Sequence, residues 1–254
     1  MDHPYNQILL FGDSITQMSF DPKLNGFAAN LANAYQRKVD VVNRGFSGYN
    51  TDWAIPILRQ LIPTVERQKQ RAAKILLTTI FFGANDAALP FAFQHVPLDK
   101  FKANMNTLLD IIQNPESPNY YPGMRIILIT QPPLNEAQWG KRCADQGDPL
   151  NRTAEDAKKY AEAVRQIGQE RGVVVADLWT RLTEVAGDNL ADYEFDGLHL
   201  NANGYQVLFD LLMETIRTHF PEIHPDAIEM ELPGFRDLPR TDFDDNLQFR
   251  LLKE

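Results

Sequence analysis

Five short apolar runs, at 7–11, 39–42, 74–82, 125–130 and 173–177, alternate along the chain with five helix-like segments, at 26–36, 52–70, 98–113, 153–171 and 203–219. Most of the runs are continuous Val, Ile and Leu rather than strict apolar–polar alternation, as strands covered on both faces require. In the third helical segment Leu98, Phe101, Met105, Leu108, Leu109 and Ile112 recur at steps of three and four, which is one face of an amphipathic helix. Strand then helix, repeated, predicts an α/β fold: about five mostly parallel strands with helices on both faces. Right-handed crossovers make it a doubly wound, three-layer α/β/α sheet. At roughly 100 to 200 residues per domain, 254 residues allow one large domain or two small ones.

Two stretches break the rhythm. Residues 131–151 form a long connection after the fourth run, carrying Trp139 and several prolines. It leaves the C-terminal end of its strand, where open α/β sheets hold their ligands. Residues 221–254 are rich in Asp, Pro and Phe and fit no further βα unit. The expected organisation is therefore a domain over 1–220 and an acidic extension over 221–254. Wrapping the domain, pairing with a second copy of the chain and partial disorder all suit that extension, and composition does not choose among them.

Charge narrows the partners. Lys and Arg number 25 against 34 Asp and Glu, a net charge of −9. Nucleic acid and anionic membrane surfaces both need a basic face, so neither is expected as a partner. Arg67, Lys69, Arg71 and Lys74 suit a solvated helix end better than a binding patch. No apolar run approaches the ~20 residues of a membrane span. The opening residues show no basic patch followed by an apolar stretch, so no secretory signal is visible. Cys143 is the single cysteine, which suits a reducing compartment, and its expected state is an inert thiol. By elimination the expected location is the cytoplasm. Asn151-Arg152-Thr153 matches a glycosylation sequon, which outside a secreted protein is accidental.

Four fragments carry chemistry. Gly12-Asp13-Ser14 directly follows the first strand. A serine there can act as a nucleophile with its own free backbone N–H beside it, or can merely cap the next segment. Asp13 is adjacent, and neighbouring side chains generally diverge, so it is not given the role of orienting acid. Asp196-Gly197-Leu198-His199 precedes the last helix. Serine needs a base, and histidine needs a carboxylate on its other ring nitrogen. Asp-x-x-His puts those groups about a turn apart; the bland alternative is a helix-entry Asp beside a satisfied histidine. Asn85 follows the third strand and can donate a side-chain N–H to an oxyanion. Gly45 follows the second and can offer its backbone N–H. Each of the last two is weak alone, since Gly and Asn after a strand are most often turn chemistry. Together, in a doubly wound sheet, the four fragments meet at one edge and supply a nucleophile, a base with its acid, and oxyanion donors.

This set resembles the signature of the GDSL, or SGNH, hydrolases. Gly12-Asp13-Ser14 is similar to the first block, Gly45 to the second, Gly83-Ala84-Asn85-Asp86 to the third, and Asp196-x-x-His199 to the last, over about residues 7–205. Ile15 stands where the four-letter motif has leucine. The stretches 43–51, 82–87 and 94–98 resemble the isoamyl acetate-hydrolysing esterase branch. The resemblance implies a Ser14–His199–Asp196 triad, and an oxyanion hole of the Ser14 and Gly45 N–H groups with Asn85. It also implies a metal-free, cofactor-free serine esterase acting on small acetate-type esters. Deacetylation of a sugar or metabolite by the same triad is the neighbouring alternative. Activity is expected to fall in acid as His199 takes a proton.

Several residues imitate these roles. Ser47 sits in Gly45-x-Ser47, but Tyr49 stands where a nucleophile elbow needs Gly. His95 has no carboxylate at the right spacing and is expected in a loop by the pocket; His219 and His224 carry no motif. Phe91 and Phe93, in an unusually apolar loop after Asn85, are expected to line the substrate pocket with Trp139. A flavodoxin-like nucleotide-binding module lacks its glycine-rich loop here. A catalytically silent partner protein is disfavoured by the filled positions. A metal hydrolase built on Asp13, Asp196 and His199 has only one histidine within a motif.

Overall fold

The computed structural model describes residues 5–238 and 240–252. Residues 1–4, part of the opening stretch in which no secretory signal is visible, lie outside that range, as do 239, 253 and 254 of the extension. Each apolar run becomes a strand: β1 (Asn6–Gly12), β2 (Val39–Gly45), β3 (Ile75–Phe81), β4 (Arg125–Ile129) and β5 (Val174–Ala176). They form one sheet in the order β2-β1-β3-β4-β5, and every neighbouring pair is parallel. The expected doubly wound α/β sheet is what the chain forms.

Side chains on successive strand residues point to opposite faces. In β1, Ile8 and Leu10 therefore enter one core while Leu9 and Phe11 enter the other. The first core is covered by α2 (Phe27–Ala34), α8 (Leu178–Ala186) and α9 (Ala202–His219), through Phe27, Leu31, Leu182, Tyr205 and Leu208. The second is covered by α3 (Thr51–Leu61), α5 (Leu98–Gln113) and α7 (Ala154–Arg171), through Leu58, Phe101, Met105, Tyr160 and Val164. Burial of each large apolar side chain contributes about 1.5–3 kcal/mol, so the two layers hold the strand ends firmly in place.

The structure corrects the sequence expectations at four points. The segment 52–70 is two helices, α3 and the short α4 (Val65–Gln68). Pro63 disfavours helical backbone in the residue before it, and Ile62 is extended (ψ 123°). The connection 131–151 is not a loop throughout: it carries α6 (Glu136–Asp145), capped by Asn135. A further helix, α8, follows β5 directly. Finally, Asn43, Arg44 and Gly45 are not beyond the second strand but inside it, paired with Leu10, Phe11 and Gly12.

The extension lies along the N-terminal ends of the strands. Tyr35 donates to the Ile223 carbonyl at 2.9 Å, and the Arg37 guanidinium to the Leu232 and Pro233 carbonyls at 3.0 and 2.8 Å. Leu251 N–H donates to Glu231 at 2.9 Å, and the Phe249 ring meets Tyr5 edge-on at 5.5 Å. The described part of the tail thus wraps the domain. Among the described residues no helix is long and apolar enough to cross a membrane.

Candidate active site

The C-terminal ends of β1, β2 and β3 converge on one cavity. Beyond β1 comes α1 (Ser14–Gln17), capped by Asp13, whose carboxylate accepts from Ile15 N–H at 3.0 Å. Asp13, not Ser14, is the cap. Ser14 therefore sits at the first helical position, where its backbone N–H has no intrahelical partner. Its hydroxyl lies 2.9 Å from His199 Nε2. On the other side of that ring, Nδ1 lies 2.8 Å from Asp196 Oδ2. A carboxylate only accepts, so Nδ1 carries the proton and Nε2 is free to accept from Ser14.

The turn bearing Asp196 and His199 is tied at both ends. Asp196 Oδ1 accepts from the Leu198 and His199 backbone N–H groups at 3.1 and 2.9 Å. A bridge between Glu194 and Leu200 closes the turn, and Asn201 caps α9 behind it. Asp196 is therefore a turn residue and not a helix-entry cap. Burial works to raise its pKa, but the hydrogen bonds from His199 and Leu198 outweigh that and hold it below the usual carboxylate value. The Phe195 ring stacks on His199 at 5.6 Å and Trp139 meets it edge-on at 6.2 Å.

One expected donor is elsewhere. Gly45 N–H donates to its neighbour Asn43 Oδ1 at 2.8 Å, so it is not available to a substrate. A Cβ at Gly45 would collide with the backbone of Gln17, so this glycine lets β2 press against α1. Asn43 completes the lock by donating to Thr16 O at 2.8 Å and Ser19 Oγ at 3.1 Å. Gly48, three residues on, has φ +82°, a conformation natural to glycine, and lines the cavity with Ser14, Asn85 and His199. Among the described residues its N–H has no acceptor.

The cavity at Ser14 encloses about 190 Å³ and is walled by Trp139, Arg142, Arg152 and Leu198. Trp139 belongs to it, mostly buried, with its indole N–H on Asn151 Oδ1 at 3.0 Å. Phe91 and Phe93 do not reach it. They are 63% and 88% exposed and line an adjoining groove of about 540 Å³ with Tyr49, Trp53 and Pro149. The two spaces share Ser47, Gly48, Gln94 and Asn151. His95 stands apart, its Nδ1 against the Ala88 carbonyl at 2.5 Å. Cys143 is buried and unbonded to another sulfur. Among the described residues no group of three or more His, Cys, Asp or Glu is arranged to hold a metal ion.

Residues 10–207 match the GDSL-like lipase/acylhydrolase family. The chain belongs to that family. It is 41% identical over 234 residues to the bovine (Bos taurus) protein named isoamyl acetate-hydrolyzing esterase 1 homolog, covering 91% of this chain and 88% of that one. It is 31% identical over 242 residues to the isoamyl acetate-hydrolyzing esterase of Saccharomyces cerevisiae, covering 92% and 95%. A lipase/acylhydrolase crystal structure from Enterococcus faecalis shares the fold, with TM-score 0.63 at 24% identity over 90% of this chain and 100% of that one. The chain is accordingly an esterase/acylhydrolase of the GDSL-like family.

Three buried ionisable groups surround the site of this GDSL-like esterase. Burial pushes Asp13 up to about 6, against the pull of the Ile15 N–H and of His199 and Arg152 nearby. Burial likewise lifts Asp86 to about 7, although Thr51 donates to it from both its N–H and its hydroxyl. Arg152, only 4% exposed, was hidden in the sequence because its surroundings, Asn151 and Thr153, spell a sequon.

Proposed function

We propose that the chain hydrolyses small, acetate-type carboxylic esters through a Ser14 acyl-enzyme. The observation that carries this is the relay itself: Ser14 Oγ to His199 Nε2 at 2.9 Å and His199 Nδ1 to Asp196 at 2.8 Å, opening on one small cavity. His199 takes the Ser14 proton as Oγ attacks the ester carbonyl carbon. Asp196 holds the proton-bearing Nδ1 in place and stabilises the imidazolium that results. The carbonyl oxygen, now negative, lies between the Ser14 N–H, the Gly48 N–H and the Asn85 side-chain amide. The tetrahedral species collapses, the alcohol leaves with the proton from His199, and the acyl group stays on Ser14. Water then attacks with His199 as base, and the acid departs.

Size supports an acyl group as small as acetyl. The cavity at Ser14 holds about 190 Å³, with Trp139 and Arg152 on its walls. The larger aromatic groove adjoining it, which includes Phe91 and Phe93, takes the alcohol portion. The name of the yeast relative, an isoamyl acetate-hydrolyzing esterase, agrees with that division, and the bovine relative is named a homolog of such an esterase.

Turnover of p-nitrophenyl acetate, butyrate and octanoate by the purified chain, with Ser14→Ala in parallel, tests it. Acetate should be cleaved fastest and octanoate least, and Ser14→Ala should lose about 10³-fold or more in kcat. Equal rates in the two proteins would overturn the nucleophile assignment; a preference for octanoate would overturn the acyl-size argument.

A further inference from the structure

We propose that Arg152 is the positioning residue of the oxyanion hole: it fixes the orientation of the Asn85 side-chain amide. This rests on the esterase mechanism given above. Arg152 is almost wholly buried, yet no carboxylate pairs with it among the described residues; it spends its donors on four neutral oxygens. Nε donates to the Ala84 carbonyl at 2.9 Å, and Nη1 to Asn151 Oδ1 at 2.8 Å. Nη2 donates to Asn85 Oδ1 at 3.0 Å and to Gln94 Oε1 at 2.9 Å. Its guanidinium carbon stands 5.0 Å from the centre of the Trp139 ring, which holds the plane in place.

Those contacts leave the Asn85 amide one orientation. Its oxygen accepts from Arg152 and from Gln94 Nε2, the latter at 3.0 Å. Its nitrogen donates one hydrogen to the Tyr49 carbonyl at 2.9 Å. The second hydrogen has no acceptor among the described residues, and Asn85 lines the same cavity as Ser14. Turning the amide over would set its NH2 against two donors and its oxygen against the Tyr49 carbonyl. Arg152 makes that arrangement the costly one, because a buried donor facing a donor forfeits its hydrogen bond and its solvation together. A cation on the amide oxygen also polarises the amide and strengthens its N–H as a donor.

The planar fork is essential to the idea. Burial draws the Arg152 pKa down to about 10, so the group stays charged at neutral pH. A lysine would keep a charge but offers one nitrogen, which cannot span Ala84, Asn151, Asn85 and Gln94 together. Arg152 touches no reacting atom. It acts through Asn85.

A double-mutant cycle separates this role from simple support of the fold. kcat and KM on p-nitrophenyl acetate would be measured for Arg152→Met, Arg152→Lys, Asn85→Ala and the two combinations, with thermal melts of each. Asn85→Ala should lose about 10²–10³-fold in kcat, the loss of one donor. Arg152→Met should lose up to the same factor in kcat with little change in KM, and Arg152→Lys should not restore it. In the Asn85→Ala background either Arg152 substitution should cost less than about threefold more, because the group it positions is gone. Equal fold losses in both backgrounds would overturn the proposal. If Arg152→Met does not fold, the Lys arm alone reads the same coupling. If Asn85→Ala is harmless, the oxyanion assignment itself fails, which is a different result from additivity.

Discussion

Gly45 and Gly48 stand three residues apart and serve different ends. Gly45 is a strand residue whose missing side chain admits α1 and whose N–H is spent on Asn43. Gly45→Ala should therefore destabilise the fold by about 1–3 kcal/mol through overpacking, read as a lower urea midpoint. Gly48→Ala forces a side chain into φ +82°, which costs roughly 1–2 kcal/mol locally. Its main effect should be on kcat, because Gly48 lines the cavity at Ser14 and is a proposed oxyanion donor. A kcat loss for Gly45→Ala at unchanged stability, with Gly48→Ala silent, would reverse the assignment. The sequence shows Ser14, Asp196 and His199 plainly, because each is a chemically unusual residue inside a short motif. It does not distinguish the two glycines. The difference lies in where β2 ends, and strand ends are set by pairing with β1 rather than by local composition.

The elements that carry the site were legible in proportion to their apolar face. The helix at 98–113 buries seven residues on one stripe and its bounds are unmistakable. Helix α6 buries only Trp139 and Cys143, four residues apart, so its sequence looks like a polar loop. Helix α8 shows Leu178, Leu182 and Ala186 at steps of four, but it follows β5 with only Asp177 between them, leaving no connecting loop to mark its start. The turn between α8 and α9 holds a second legacy of burial. Glu194 is 1% exposed, and neither carboxyl oxygen makes a hydrogen bond of normal geometry. Burial raises its pKa to about 9, with Asp196 adding to the rise and the nearby Asn135 backbone opposing it. The folded protein thus holds a proton there that the unfolded chain releases above about 4.5. Stability from this group is present in acid and is lost as pH climbs from there towards 9. Glu194→Gln should remove that slope. Its melting temperature should gain on wild type between pH 5 and pH 9; parallel curves for the two proteins would show the carboxyl to be ionised in the fold.

At the scale of the whole molecule, the βα alternation announced the architecture, while the extension after 220 stayed open. Its course depends on carbonyls and single side chains distant in sequence, such as Arg37 to Leu232 and Pro233, which composition does not reveal. Arg37 has φ +62°, so Arg37→Asn keeps a residue that tolerates this backbone while removing both bonds. The variant should be cut faster by protease within 221–252, and its kcat should stay close to wild type, because the tail lies at the opposite end of the strands from Ser14. A matching loss of kcat would place the tail in contact with the site.

The proposed nucleophile Ser14 and its proposed base His199 are 185 residues apart along the chain and meet at 2.9 Å. Ser14 emerges early in synthesis, and His199 arrives only after every strand of the sheet. Long-range closures of this kind form late, after local helices and neighbouring strand pairs. On the proposed mechanism, Ser14 therefore gains its base only when the turn before α9 closes onto the end of β1. Ester hydrolysis through the proposed relay would thus wait on the completed fold.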